Sequence, residues 1–187
     1  MTLETVLTLV TNRLDQLEIP YMVVGSIASS FHGMLRTTYD ADIVIDPDKN
    51  SLQLLIRTLE NDFYADEAMA LEALDKGHMF NVIHSDTGHK IDLIIRKPRV
   101  YDRMSLSRRS RATYHEKPVW FSSPEDTILA KLEWTKENPS ERQMEDALNI
   151  IKHQRDSLNF AYLHQWAKEL DVDELLRKLL FAAGIGK

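Results

Sequence analysis

Three aspartates stand out by type and spacing. Asp40-Ala41-Asp42 leads into the apolar run Ile43-Val44-Ile45, and Asp92 lies inside His89-Lys90-Ile91-Asp92-Leu93-Ile94-Ile95. On a strand, residues i and i+2 point to the same face, so Asp40 and Asp42 present two carboxylates side by side. Two like charges that close repel each other unless a positive charge lies between them. A divalent cation meets that need, and hard oxygen ligands favour magnesium or manganese. Taken alone, the pair also fits a solvated strand end. The run that follows predicts a strand buried on both faces, and acids running into such a strand need a partner. A carboxylate inside the apolar 89–95 run is costly to bury unless it is paired or metal-bound. Asp92 therefore either joins the other two acids from a neighbouring strand or pairs with Lys90 or Arg96.

Gly25-Ser26 follows Tyr21-Met22-Val23-Val24 and opens a short helical segment. The first N–H groups of a helix have no internal partner and favour an anion. Gly permits close approach of the backbone, and Ser26 adds a hydroxyl. The junction suits the phosphates of a nucleoside triphosphate, and it equally suits an ordinary turn with an N-cap.

The elements that must carry these residues follow from periodicity. Thr2–Leu17 has apolar residues at helical spacing and ends before Pro20. Tyr21–Val24 and Asp40–Asp46 read as strands, with a short helix from Ile27 to Gly33 between them. Asp48–Asp62 is an amphipathic helix, and Glu67–Leu74 a weaker one. Met79–His84 and Lys90–Ile95 flank Ser85-Asp86-Thr87-Gly88 and predict an antiparallel hairpin. One or two short strands are expected in 112–121. From Ser123 only helices follow, at 124–137, 140–153, 159–169 and 172–182, the first opened by Ser123-Pro124-Glu125-Asp126. Asp171 and Glu174 resemble a capping box. The expected fold class is α+β: a mixed β-sheet with flanking helices over 1–122, then a C-terminal helical bundle over 123–187.

Composition narrows the function classes. The 187 residues are 43% hydrophobic and 28% charged, which fits a globular protein with a buried core. The absence of cysteine removes disulfides and thiolate zinc sites, and points to a reducing, cytoplasmic setting. No apolar run reaches the ~20 residues of a membrane span, and the N-terminus does not read as a signal peptide. A net charge of −6 argues against a generally basic nucleic-acid coat. Arg96–Arg111 nonetheless holds seven Lys/Arg against one Asp. It is either a solvated surface or a phosphate or RNA contact. The histidines are scattered without metal-ligand spacing, and Gly184-Ile185-Gly186 follows no strand.

Together, Val23-Val24-Gly25-Ser26, a spacer of about a dozen residues, Asp40-Ala41-Asp42 and a third Asp on a later strand resemble the nucleotidyltransferase superfamily of the DNA polymerase β type. The fuller string, with His32-Gly33 and Arg36-Thr37-Thr38-Tyr39, resembles bacterial AbiEii/MenA-like and related nucleotidyltransferases. Lys131, Arg142 and Glu145-Asp146 resemble their helical segment, with Glu145 standing where Lys is common. The resemblance spans roughly residues 20–155.

It implies transfer of a nucleotide from an NTP to an acceptor hydroxyl with release of pyrophosphate. Asp40 and Asp42 would bind two Mg²⁺ or Mn²⁺ ions, and Asp92 would bind the catalytic one and could help remove the acceptor's proton. Gly25 and Ser26 would hold the triphosphate. Arg36 and Lys131 are candidate phosphate contacts, or else surface ion pairs. Thr38 could place a water or a phosphate oxygen, and Asp146 could hold Lys131 in place or equally form a helix–helix salt bridge. The acceptor is either RNA, tRNA in a toxin-like protein with a partner antitoxin, or a small molecule or protein side chain. A non-catalytic member that binds a nucleotide or a partner is the alternative outside enzymology.

Overall fold

The computed structural model describes residues 1–34 and 37–185. Seven strands form one mixed sheet in the order β3-β4-β5-β2-β1-β7-β6. They are β1 (Tyr21–Val24), β2 (Asp40–Ile45), β3 (Phe63–Tyr64), β4 (Met79–His84), β5 (Lys90–Ile95), β6 (Ser110–Tyr114) and β7 (Lys117–Phe121). The β2–β5 and β1–β7 pairs are parallel and the remaining pairs antiparallel. The expected hairpin is present, with Met79 opposite Ile94 and Ile83 opposite Lys90.

The helices are α1 (Leu3–Gln16), α2 (Gly25–His32), α3 (Lys49–Leu59), α4 (Glu67–Lys76), α5 (Val100–Ser107), α6 (Pro124–Glu137), α7 (Glu141–Gln154), α8 (Phe160–Glu169) and α9 (Asp173–Ala182). Together with the sheet they make the α+β class that the sequence predicts. The Thr2, Asp48, Asp66 and Ser123 side chains accept from backbone N–H groups in the first turns of α1, α3, α4 and α6. Such caps satisfy donors that a helix start leaves orphaned. No helix among the described residues is long and apolar enough to cross a membrane.

Contacts divide the chain into two compact units. The first joins Met1–Val24 with Thr37–Phe121, and the second joins Gly25–Arg36 with Ser122–Lys187. In the first unit α1 packs on β2 and β7, and α4 packs on β4. Ala41, Ile43, Ile45, Ile91 and Leu93 are fully buried. Val44 is only half-buried, so β2 is covered on one face rather than on both. Its other face carries Asp40 and Asp42.

In the second unit α2 packs against α6 and α7. Gly33 lets it come close: a Cβ there would lie 3.1 Å from Ser29 O and 3.2 Å from Ile150 N. Asp126 is buried between two hydroxyls, Ser123 Oγ at 2.6 Å and Tyr162 Oη at 2.7 Å. The expected capping box at Asp171 is absent. Asp171 adopts φ 56° as the chain leaves α8, and its carboxylate pairs with Lys136 at 2.9 Å. Val172 holds the cap position of α9, with no side-chain bond. Asp171 is occupied in closing one helix and so does not open the next.

Candidate active site

The acids of the first unit meet through strand register. In the parallel β2–β5 ladder Asp42 lies opposite Asp92 and Asp40 opposite Lys90. Neighbouring strands run about 4.8 Å apart, and paired residues project to the same face. Asp40, Asp42, Lys90 and Asp92 thus form two adjacent rows on the face of β2 away from Ile43 and Ile45. Val24 of β1 flanks Asp42 on one side of the patch, and Asn81 of β4 flanks Asp92 on the other.

The three carboxylates sit in different surroundings. The Asp40 side chain is 48% exposed, whereas that of Asp92 is only 7% exposed. Thr38 donates to Asp40 Oδ1 at 3.0 Å and to its backbone oxygen at 3.2 Å, so its hydroxyl serves the first aspartate. Lys90 Nζ donates to Asp92 Oδ2 at 2.7 Å and stands 4.0 Å from Asp40 Oδ2. Of the two partners the sequence offered Asp92, Lys90 is therefore the one present; Arg96 pairs with Asp46 at 2.8 Å. The hydrogen bond to Asp92 holds the Lys90 ammonium above its usual pKa against desolvation, helped by the charges of Asp92, Asp40 and Asp42.

Asp92 Oδ1 is buried and has no hydrogen-bond partner among the described residues. An orphaned carboxylate oxygen in a native fold calls for a ligand or a functional reason. With Asp42 in register beside it, the donor set is all hard oxygen and suits magnesium or manganese. Lys90 stands among these acids, and among the described residues no three His, Asp or Glu side chains are arranged to hold a metal ion. Lys90 was legible only as a counter-ion. Its i−2 spacing from Asp92 is the signal that places the amine on the acid face.

The remaining candidates lie in the second unit. Gly25 starts α2 with φ 63°, a conformation that side chains other than Gly rarely adopt. Its carbonyl accepts from Ser29 Oγ at 2.8 Å, and Ser26 Oγ lies 3.5 Å from Arg142 Nη2. Lys131 and Asp146 form a buried pair at 2.8 Å, with side chains 5% and 11% exposed. The pair links α6 to α7. A groove of about 430 Å³ runs past Ser29, Arg142, Asp146 and the carboxylates of Glu141 and Glu145. Arg36 lies outside the described residues.

His32 plays a structural part within this unit. Its Nε2–H donates to Ser122 O at 2.7 Å, since a carbonyl can only accept. Its own carbonyl accepts from Gln154 at 2.9 Å. Burial lowers the His32 pKa, which keeps the ring neutral. The basic stretch is also largely engaged in local contacts. Arg99 grips Asp102 through two bonds, and Arg109 stacks over Trp120 at 4.7 Å. Arg111 faces the same ring at 5.5 Å and pairs with Asp15 at 3.7 Å.

No protein-family model and no curated sequence matches the chain. Solved structures do share its fold. An antigenic nucleotidyltransferase-like protein from Paracoccidioides brasiliensis is similar at a TM-score of 0.65 and 20% identity, over 96% of this chain and 88% of that one. ANT(2'')-Ia in complex with adenylyl-2''-tobramycin is similar at 0.62 and 14% identity, over 91% and 98%. The lincosamide antibiotic adenylyltransferase LnuA, with lincomycin bound, is similar at 0.53 and 13% identity, over 77% and 93%. The chain has the nucleotidyltransferase fold.

Proposed function

We propose that the protein is a metal-dependent nucleotidyltransferase. It moves a nucleoside monophosphate from an NTP to an acceptor hydroxyl and releases pyrophosphate. The observation that carries this reading is the register of Asp42 with Asp92 beside Asp40, with Asp92 Oδ1 buried and unpartnered among the described residues. Asp40, Asp42 and Asp92 are the residues that would hold magnesium or manganese. When bound, such an ion polarises the α-phosphate, lowers the acceptor hydroxyl's pKa and offsets the charge of the leaving pyrophosphate. Thr38 keeps Asp40 oriented through its hydrogen bond. Gly25 and Ser26 are proposed to take the triphosphate through backbone N–H groups and a hydroxyl. Arg36 is a proposed phosphate contact. Lys131 is proposed to act with Asp146, its charge held in place for the nucleotide. In this reading residues 1–122 are the catalytic core and 123–187 a helical subdomain, and the cytoplasm is the setting that a cysteine-free chain suits.

The favoured acceptor is a small hydroxyl-bearing molecule. The contacts that Arg96, Arg99, Arg109 and Arg111 make with their own neighbours weaken the case for an RNA surface there. The fold is also shared with proteins whose solved complexes contain adenylyl-2''-tobramycin and lincomycin. Transfer to tRNA, with an antitoxin partner, is the competing reading, because Lys97 and Arg103 remain exposed on the same stretch. The purified protein is incubated with each labelled NTP and Mg²⁺, with total RNA in one arm and a panel of hydroxylated small molecules in the other. The expected result is Mg²⁺-dependent pyrophosphate release with label entering one acceptor class. Asp42→Ala should lower the rate by at least ~10³-fold, the several kcal/mol that metal catalysis contributes. Wild-type protein that binds neither nucleotide nor metal would sink the proposal.

A further inference from the structure

Lys90 has no role in the reaction as described, yet it lies against the acids that the reaction needs. Its ammonium is 2.7 Å from Asp92 Oδ2 and 4.0 Å from Asp40 Oδ2. It therefore lies against two of the carboxylates that would hold the metal ion. A dication within a few ångströms of an ammonium is repelled, and a surrounding of low dielectric strengthens that repulsion. Both cations cannot comfortably serve the same acids.

The Lys90 side chain is 39% exposed, whereas that of Asp92 is only 7% exposed. The lysine thus has a route to water that the aspartate lacks. Its flexible four-carbon stem lets the charged end swing away without backbone motion. Sequence position makes the arrangement permanent. Lys90 and Asp92 are two residues apart on β5, so the amine stays tethered on the acid face. This charge compensates a buried carboxylate that lies in register with a second one.

We propose that Lys90 is a displaceable internal counter-ion: it holds Asp92 and Asp40 closed to free metal, and a divalent ion binds only by exchanging with its ammonium. This rests on the nucleotidyltransferase reading, because it takes the three aspartates as metal ligands. It adds that metal affinity is set by competition within the chain and not by the carboxylates alone.

The test uses the full chain without nucleotide and measures Mn²⁺ binding by electron paramagnetic resonance. Wild type, Lys90→Gln and Lys90→Arg are compared. Lys90→Gln should bind Mn²⁺ at least ~10-fold more tightly than wild type, a change of about 1.4 kcal/mol. Lys90→Arg, which keeps the charge, should stay near wild type. Equal or weaker binding by Lys90→Gln overturns the inference and leaves the metal-dependent reading standing. No binding by wild type or by either variant overturns both. Should Lys90→Gln fail to fold, a crystal structure of wild type with Mn²⁺ bound decides the matter. Lys90 Nζ must then have left Asp92 Oδ2; an ion bound with that hydrogen bond intact overturns the exchange.

Discussion

Replacing Asp92 by Asn should make the metal-free protein more stable while abolishing transfer. The substitution keeps the shape and removes the charge. One contribution is lost, the ion pair with Lys90. That lysine is 39% exposed, so solvent screens the pair and its loss costs about 0.5–1 kcal/mol. Two penalties disappear. Asp92 Oδ1 is buried without a hydrogen-bond partner among the described residues, and such a group costs about 1–3 kcal/mol. The like charge of Asp42, directly in register, is no longer opposed. Asn can still accept from Lys90 through its amide oxygen, and its NH₂ group, a donor, would face the Asp42 carboxylate in register beside it where two like charges met before. The net is a gain of about 1 kcal/mol, or roughly 2–4 °C in melting temperature for a chain of this size. The assay is a thermal melt in EDTA and again with excess Mg²⁺, alongside pyrophosphate release. Wild type should gain stability from the ion through mass action, and the variant should gain little. A variant that melts several degrees below wild type in EDTA would show that the carboxylate is well satisfied and that the reasoning about strain is mistaken.

Two further predictions concern the helical unit. Asp146→Ala removes a charged partner, 2.8 Å away, of a lysine that is 5% exposed, and should cost about 3 kcal/mol in urea unfolding. The double change Lys131→Met with Asp146→Leu should recover most of that loss, whereas additive losses would mean the pair is solvated. Burial holds the folded pKa of His32 below its ordinary value of 6.5. The unfolded chain therefore binds the proton first, and stability should fall as pH drops from 6.5 toward the folded value. His32→Gln should flatten the change in denaturant midpoint between about pH 7 and pH 5; an unchanged slope would place the dependence on other groups.

Much of the sheet was legible because strand periodicity is short-range. Asp40 and Asp42 fall on one face by alternation alone, and the Ser85–Gly88 turn announces the β4–β5 hairpin. The parallel pairing that brings Asp92 opposite Asp42 is a long-range contact, so only the chemistry of a buried acid hinted at it. Helix starts with a local signature, such as Ser123-Pro124, were readable. Asp171 misled because a capping residue and a left-handed helix terminator share the same side chain. The helix Val100–Ser107 was hidden by its charges. Arg99–Asp102 and Arg109–Trp120 show that those charges have structural partners, which composition does not reveal. His32-Gly33 was visible as part of a motif, but its packing against α6 and α7 depends on residues a hundred positions away.

The division of the chain has a consequence for synthesis. Although α2 lies between β1 and β2 in sequence, its packing partners α6 and α7 come from the last third. As the chain leaves the ribosome, strands β1 to β7 can all be made while α2 still lacks the surface that buries Ile27 and Ala28. A helix of eight residues is too short to persist alone in water. The second unit therefore forms late and closes over a segment made early. A chain truncated after Phe121 would lose more than its C-terminal helices, because α2, begun by Gly25 and Ser26, would be left without α6 and α7, the helices it packs against.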